Sequence, residues 1–194
     1  MNIRRREEML NIAIKIIDKD GFSALSMKRV GELTGITEPA VYRYFKSKEN
    51  LINEIFKKIV SIHEEILNKY KDTKNELLKI EEILLSQLEY YEKNREITSI
   101  IFSSDAFSYS PTIKEKATAI MKEREELMTS LIKKAQEKGS VKKIDPSHIT
   151  KMIGGAIMLL VVNWRTENYS FPLVERGEVL IESIMSVIRE EKDA

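Results

Sequence analysis

The chain has 194 residues, no cysteine and a formal net charge of +1 at pH 7, so disulfide bonds and thiolate metal sites are excluded. Apolar residues make up 42% and charged residues 32% of the chain, which favours a folded globular protein over a disordered one. The longest apolar run, 152–162, is too short to span a bilayer, and the basic N-terminus is not followed by the apolar core of a signal peptide, so we expect a cytoplasmic protein with no membrane partner.

The first predicted helix runs from Arg4 to Asp20, where apolar residues recur at intervals of three and four, and Gly21 ends it. We expect this helix to support the next two from behind. Residues 1–50 hold ten Lys and Arg and seven Asp and Glu, a net charge of +3, so the rest of the chain carries −2. A modest basic excess at this end agrees with a surface that faces phosphates.

Residues 26–48 predict two short helices joined by a turn. Ser26 is expected to cap the first helix and Thr37 the second, because their hydroxyls accept backbone N–H groups. Gly35 suits the left-handed conformation of the turn, and Pro39 suits the first turn of a helix. The side chains expected to pack the pair together are apolar: Val30, Leu33, Ile36, Val41 and Phe45.

This layout is that of a helix-turn-helix, whose second helix enters the major groove of DNA. The stretch resembles the N-terminal region of TetR-family transcriptional regulators, in the turn Thr34-Gly35-Ile36-Thr37, in Tyr42-Arg43-Tyr44-Phe45 and in Lys48. It departs from the family pattern at Gly31 and Thr34, where alanine is usual, and at Pro39, where glycine is common. The resemblance implies an all-α fold, with a three-helix DNA-binding domain in residues 1–47 and a six-helix ligand-binding and dimerisation domain in residues 48–194.

The residues expected to bind DNA follow from their chemistry. Phosphate contacts are predicted for cationic and phenolic side chains: Lys28, Arg29, Tyr42, Tyr44 and Lys48. Base-edge contacts are predicted for residues of the second helix and its cap: Thr37, Glu38, Pro39, Ala40 and Arg43. Ser26 is assigned to the same surface. Two structural alternatives remain, since Glu38 also complements the helix dipole and Tyr42 also suits a half-buried brace.

Six further helices are predicted from capping residues and apolar spacing. Their approximate bounds are Lys48–Tyr70 after the cap Ser47, Lys74–Lys93, Arg95–Phe107, Pro111–Lys138 after Ser110, Pro146–Arg165 after Asp145, and Leu173–Glu191. No strand-like alternation persists for more than a few residues, so the expected fold class is all-α.

The last two predicted helices suggest a homodimer. The helix that begins at Pro146 is apolar on nearly every side between 152 and 162, and such a helix must be covered all round. A four-helix bundle formed with a second copy would cover it, and a two-fold dimer would read a palindromic operator. The predicted interface residues are Gly155, Leu159, Leu173, Leu180, Ile181, Ile184 and Ile188. The alternative is that both apolar stripes pack within one subunit.

The family resemblance implies a small-molecule pocket in the larger domain, and the apolar character of the available side chains suggests a hydrophobic effector. The predicted lining residues are Phe56, His63, Leu67, Leu88, Tyr91, Phe102, Phe107, Met128, Met152 and Trp164. Such residues at helical spacing also suit plain core. The Lys48–Tyr70 helix would couple the pocket to DNA by shifting the population between two dimer geometries.

The sequence as a whole favours a DNA-binding transcriptional regulator that acts as a repressor, with no cofactor. An alternative keeps the fold but drops the inducer: a nucleoid-associated or division-coordinating protein that binds many sites. A third class is a helical adaptor that does not bind DNA. We expect no enzyme, because no phosphate-binding loop, nucleophile–base pair or metal-ligand pattern is visible around the two histidines, His63 and His148.

Overall fold

The computed structural model describes residues 2–102 and 110–190, and within these ranges it contains nine α-helices. They are α1 (Ile3–Ala24), α2 (Met27–Thr34), α3 (Glu38–Tyr44), α4 (Lys48–Lys69), α5 (Glu76–Lys93), α6 (Thr98–Ile101), α7 (Pro111–Glu137), α8 (Pro146–Thr166) and α9 (Leu173–Ile188). A 3₁₀ turn at Arg95–Ile97 precedes α6. Across the described ranges, extended pairing is limited to an isolated antiparallel bridge between Val141 and Arg189. The all-α prediction is confirmed.

The helix ends fall where the capping residues place them. Gly21 interrupts α1 with a φ of 78°, a conformation that favours glycine. Ser47 Oγ accepts the Asn50 N–H at 3.0 Å and so caps α4. Asp145 Oδ1 accepts the Ser147 N–H at 2.8 Å at the start of α8. The predicted helix 95–107 is confirmed only in part: a 3₁₀ turn and α6 cover 95–101, and residues 103–109 lie outside the described part of the chain.

The chain divides into two compact units. Unit 1 comprises residues 1–62 and 94–119, and unit 2 comprises residues 63–93 and 120–194. Helix α4 contributes residues to both units, as does α7. Unit 1 therefore contains the first helices together with the beginning of α4, whereas the functional division at residue 47 stays a prediction.

In unit 1, α1 and α4 are joined by an ion pair between Arg6 and Glu54. The Arg6 guanidinium also lies over the Phe45 ring, 5.1 Å from its centroid. Hydrogen bonds from Lys57 and Arg6 hold the pKa of the Glu54 carboxyl below its usual value. Since Phe45 follows α3 directly and is fully buried, this contact ties the end of α3 to α1 and α4.

In unit 2, α9 packs against α5 at close range. A Cβ atom added at Gly177 would lie 2.2 Å from Leu88 Cδ1, so a larger residue at that position would force the buried Leu88 side chain to shift. Pro172 stands at the N-terminal cap position of α9 and has no side chain that can cap the helix. Glu92 of α5 supplies the cap instead, because its Oε1 accepts the Leu173 N–H at 2.6 Å. This carboxylate at a helix N-terminus also complements the helix dipole.

The corner between α8 and α9 turns without glycine. Asn168 and Tyr169 have φ values of 55° and 61°, in the left-handed region. Two contacts hold the corner: Trp164 Nε1 donates to the Phe171 carbonyl at 2.9 Å, and the Tyr169 ring packs edge-on against the indole, with centroids 4.7 Å apart. No helix within the described ranges is both long and apolar enough to cross a bilayer.

Candidate functional site

Helices α2 and α3 form the candidate DNA-binding element, and local hydrogen bonds fix the turn between them. Ser26 Oγ accepts the Arg29 N–H at 3.1 Å, which confirms the predicted cap of α2. Gly35 has a φ of 68°, and the Ile36 N–H donates to the Gly31 carbonyl at 2.9 Å, so the helix closes with a left-handed glycine. A Cβ atom at Gly31 would lie 2.8 Å from the Ile36 oxygen, which explains glycine at this departure from the family pattern.

The packing of α2 and α3 follows the prediction in part. Val30, Val41 and Phe45 are fully buried. Leu33, however, is 57% exposed, and its assignment to the packing between the helices is wrong, because the short α2 buries only the face that carries Val30. Thr37 occupies the cap position of α3, but its hydroxyl makes no capping hydrogen bond, so that prediction is also wrong. The Thr37 carbonyl accepts the Ala40 N–H at 2.9 Å and starts the helix.

The outer face of α3 is open to solvent along its length. Thr37, Glu38, Pro39 and Arg43 are exposed, and Tyr42 is 47% exposed. The partly exposed members of the predicted set are Ala40, Tyr44 and Lys48. Within the described residues, the Arg43 guanidinium has no hydrogen-bond or ion-pair partner, so it can bind an external acceptor without losing an internal contact.

The two cations of α2 differ in their surroundings. Lys28 is exposed and lies 3.9 Å from Glu32, a surface pair that contributes little stability and is easily exchanged for a phosphate. Arg29 instead forms an ion pair with Asp20 of α1. The structure therefore places Arg29 as a brace between α1 and α2 as well as near the predicted surface.

Helices α8 and α9 expose an apolar face, which we call the α8–α9 patch. Its large members are between 48% and 62% exposed: Met152, Met158, Leu159, Val179 and Val187. Gly155 is also exposed, and no atom lies within 4 Å of a Cβ built there. Leu180 and Ile184 are partly exposed. Apolar patches on solvent-facing helices mark interaction surfaces.

Three predicted interface residues belong elsewhere. Leu173, Ile181 and Ile188 are at most 2% exposed in the single chain and form part of the core of unit 2. They have almost no surface left for a partner, so their assignment to a dimer contact is corrected. The spacing of three and four along α9 marked apolar positions without distinguishing the buried side of the helix from its outer side.

The predicted ligand-binding residues are scattered over both units. Leu88, Tyr91 and Trp164 are at least 96% buried in unit 2, whereas His63, Leu67 and Met128 are partly exposed there. Phe56 and Phe102 belong to unit 1, and Phe107 lies outside the described residues. Met152 is 48% exposed and lies one helical turn from Gly155 on the α8–α9 patch, so its assignment to a pocket lining is corrected.

His63 has polar neighbours that the sequence did not indicate. Gln87 Nε2 lies 3.1 Å from His63 Nδ1, and Arg124 Nη2 donates to Tyr91 Oη at 3.3 Å. Burial, together with the nearby Arg124 charge, lowers the pKa of His63 to about 4, so the ring is neutral near pH 7. Gln87 and Arg124 were missed because a polar residue on an amphipathic helix carries no sign of which distant residue it will meet.

Across the described residues, no group of three or more His, Cys, Asp and Glu side chains is placed to hold a metal ion. Four titratable side chains in the described part of the chain have clearly displaced pKa values: Glu54, His63, Lys69 and Asp145. Asp145, for example, has a lowered pKa because it caps α8 through Ser147. Apart from His63, each of these shifts is accounted for first by a local side-chain hydrogen bond.

Comparison with known proteins finds matches over most of the chain. The model for bacterial regulatory proteins of the tetR family matches residues 10–55, and the model for the C-terminal region of YsiA-like proteins matches residues 52–187. The uncharacterised HTH-type transcriptional regulator YhgD of Bacillus subtilis is 24% identical over 172 residues, which cover 87% of this chain and 88% of that protein.

Two other similarities concern possible activities. The nucleoid occlusion factor SlmA of Glaesserella parasuis is 28% identical over 98 residues, which cover 50% of this chain, and the match spans only 49% of that protein. The crystal structure of the transcriptional regulator FadR from Bacillus subtilis in complex with stearoyl-CoA superposes with a TM-score of 0.81 at 17% identity, covering 93% of this chain and 97% of that chain. At this level of identity the superposition shows a shared fold.

Proposed function

This chain belongs to the TetR family of bacterial regulatory proteins, and we propose that it is a cytoplasmic, sequence-specific DNA-binding transcriptional regulator, a repressor whose operator affinity is set by a small hydrophobic ligand. The observation that carries the proposal is the exposed face of α3, held by the Ser26 cap and the Gly35 turn, with Arg43 unpaired within the described residues. YhgD and FadR, to which this chain is similar, are named as transcriptional regulators, which supports a protein that is not an enzyme.

Base readout is proposed for the outer face of α3. Arg43 is the strongest candidate, because a guanidinium can donate two hydrogen bonds to the O6 and N7 atoms of guanine. Glu38 can accept from a cytosine amino group, and Ala40 and Pro39 can contact a thymine methyl group. The positions of Glu38, Pro39 and Ala40 fit a recognition helix that lies in the major groove and presents its N-terminal residues to base edges, whereas Arg43 would reach the groove from the last turn of α3.

Phosphate contacts are proposed for Lys28, Tyr42, Tyr44 and Lys48, which flank that face. Lys48 lies at the start of α4, where backbone N–H groups and the positive end of the helix dipole also attract an anion. Arg29 is proposed mainly as a brace, since its ion pair with Asp20 would have to be shared with a phosphate. Such contacts fix the register of the protein on DNA without specifying sequence.

Dimerisation is proposed through the α8–α9 patch. Exposed apolar side chains on two adjacent helices would be buried by the same two helices of a second copy, giving a four-helix bundle. A two-fold axis through this bundle makes the operator palindromic, with half-sites about 34–36 Å apart if they occupy successive major grooves. Gly155 supports the assignment because it permits close approach of a partner backbone.

The test is selection of operator sequences from a random duplex pool, followed by binding measurements over a range of salt concentrations. Arg43→Ala is expected to relax the sequence preference, with a loss of about 1–3 kcal/mol confined to the selected site. Lys48→Ala is expected to weaken binding to all duplexes alike and to lower the salt slope by about one unit. Lys133→Ala, an exposed cation on α7, is the control and should change neither quantity. If Arg43→Ala and Lys48→Ala affect selected and random duplexes equally, the division of roles is wrong.

A second candidate function is favoured by the partial similarity to the nucleoid occlusion factor SlmA. In that case the protein would bind many chromosomal sites and a protein partner, without an inducer. Genome-wide occupancy distinguishes the two functions: a local repressor occupies few operators near its own gene, whereas a nucleoid-associated protein occupies sites spread over the chromosome. The similarity to SlmA covers half of this chain, so we rank this function second.

A further inference from the structure

Unit 2 contains a cluster of linked polar side chains, which we call the His63 cluster. Its four members come from α4, α5 and α7: His63, Gln87, Tyr91 and Arg124. Gln87 and Tyr91 are one turn apart on α5 and are 8% and 4% exposed. Polar groups at this depth are normally saturated with hydrogen bonds, because an unpaired one costs free energy.

One atom of the cluster breaks that rule. His63 Nε2 is buried and has no hydrogen-bond partner among the described residues. The other ring nitrogen, Nδ1, faces the Gln87 amide nitrogen, and an amide NH₂ group can only donate. With the Gln87 amide in this orientation, Nδ1 is the acceptor and the neutral ring carries its proton on Nε2. The unpaired atom is an N–H donor that lacks an acceptor.

Arg124 adds a positive charge to the same place. Its guanidinium donates to the Tyr91 hydroxyl and, within the described residues, has no carboxylate within ion-pair distance. The Arg124 charge also acts on His63, whose pKa it helps to lower. A buried donor without an acceptor, with a partly exposed and unneutralised cation acting on the same ring, together suit an external acceptor of negative charge.

We propose that the His63 cluster binds the carboxylate of a small organic acid, with His63 Nε2–H and the Arg124 guanidinium as the two donors. The rest of the effector would be apolar, as in the proposed function. This inference rests on the effector in the proposed function and adds the chemistry of its polar end. It also gives Gln87 a role: by donating to Nδ1, it holds the imidazole in the tautomer that presents a donor to the ligand.

The first test needs no ligand. In ¹⁵N-labelled protein near pH 7, the imidazole nitrogen shifts of His63 should identify a neutral ring protonated at Nε2. The chain has only two histidines, so His148→Gln assigns the resonances. Gln87→Leu should abolish the preference for this tautomer. If His63 is protonated at Nδ1 in the unliganded protein, the proposal is overturned.

The second test uses a series of monocarboxylates, straight-chain from acetate to dodecanoate and aromatic from benzoate upward, each paired with the alcohol of equal carbon skeleton. Carboxylates should shift the His63 Nε2–H resonance downfield and bind more tightly than their alcohols. His63→Phe and Arg124→Met should each weaken carboxylate binding roughly 10- to 100-fold and weaken alcohol binding less, because a neutral hydroxyl accepts a weaker hydrogen bond than a carboxylate. Lys122→Met, which removes an exposed cation from the same helix, is the matched control and should have no effect.

Three outcomes would overturn the proposal: no carboxylate of the series binds, acids and alcohols bind equally, or Lys122→Met weakens binding as much as Arg124→Met. Operator binding is measured in parallel on the unliganded protein. If carboxylates bind as described and no operator can be selected, the proposed regulatory function fails and the ligand site stands. If an operator is selected and carboxylates do not bind, only the ligand site fails.

Discussion

Mild acid is predicted to destabilise unit 2 through His63. The pKa of this imidazole falls from 6.5 in a free side chain to about 4 in the folded protein, because burial disfavours the charged ring. Between these two values the unfolded chain binds a proton that the folded chain rejects. The contribution of His63 to stability is therefore fully present above pH 6.5 and is lost as the pH falls from 6.5 towards about 4.

The size of the effect follows from the same values. Between pH 7.5 and 5.0, the full displacement of the pKa corresponds to about 2 kcal/mol of unfolding free energy. Because the imidazole is partly exposed, solvent screening reduces this to about 1 kcal/mol. The glutamine in His63→Gln does not titrate, so the unfolding free energy of this variant should fall by about 1 kcal/mol less than that of the parent protein between pH 7.5 and 5.0.

The assay is urea unfolding at the two pH values, followed by the fluorescence of Trp164. This is the only tryptophan of the chain, and it is buried in unit 2. His148→Gln is the control, because His148 is exposed on the first turn of α8. The low pKa of Glu54 affects parent and variant equally, so it cancels in the comparison. If His63→Gln keeps the full loss of stability between pH 7.5 and 5.0, His63 is not a buried neutral group.

Three further predictions concern the DNA-binding element and the dimer. Ser26→Ala should lower the unfolding free energy of unit 1 by about 1 kcal/mol, because α2 loses its cap. Ser26→Gly should lower it by only a few tenths of a kcal/mol. Equal losses for the two variants in calorimetry would contradict the capping role. Gly35→Ala should lower the free energy of unfolding by about 1–2 kcal/mol and weaken operator binding, because alanine is strained at a φ of 68°. Unchanged operator affinity and an unchanged melting temperature would contradict the left-handed turn at Gly35. Leu159→Glu should raise the dimer dissociation constant by at least about tenfold in sedimentation velocity, since it puts a charge into the α8–α9 patch. Leu78→Glu, at a leucine 44% exposed on α5, should leave it unchanged, and equal effects of the two would exclude this patch as the interface.

Local features of the fold were predictable from the sequence. The caps at Ser26 and Ser47 and the left-handed turn at Gly35 depend on a few consecutive residues, and the structure confirms all three. The Thr37 cap failed for a local reason as well, because its side chain does not meet the backbone N–H groups of α3. Leu33 failed because spacing alone does not say how wide the buried face of a short helix is.

Features that depend on contacts between residues far apart in the chain were harder to predict from the sequence. Ile181 and Ile188 look no different in sequence from Leu180 and Ile184, yet the first two face the core of unit 2 and the others are partly open to solvent. The side of a helix that faces the core depends on which neighbour packs against it, and that information lies elsewhere in the chain. The link between His63 and Gln87 joins residues 24 positions apart, and no spacing rule connects them.

The corner between α8 and α9 restricts the angle between the two helices, which matters for the conformational entropy they would lose in the proposed dimer. Asn168 and Tyr169 adopt left-handed backbone conformations that each cost about 1–3 kcal/mol, and the Trp164–Phe171 hydrogen bond and the Tyr169 ring contact maintain them. A hinge of two glycines would reach the same geometry at lower strain, but it would leave the helices freer to change their angle. In the proposed dimer, non-glycine residues here would preorganise the two helices before a second subunit binds, which would reduce the ordering cost of association.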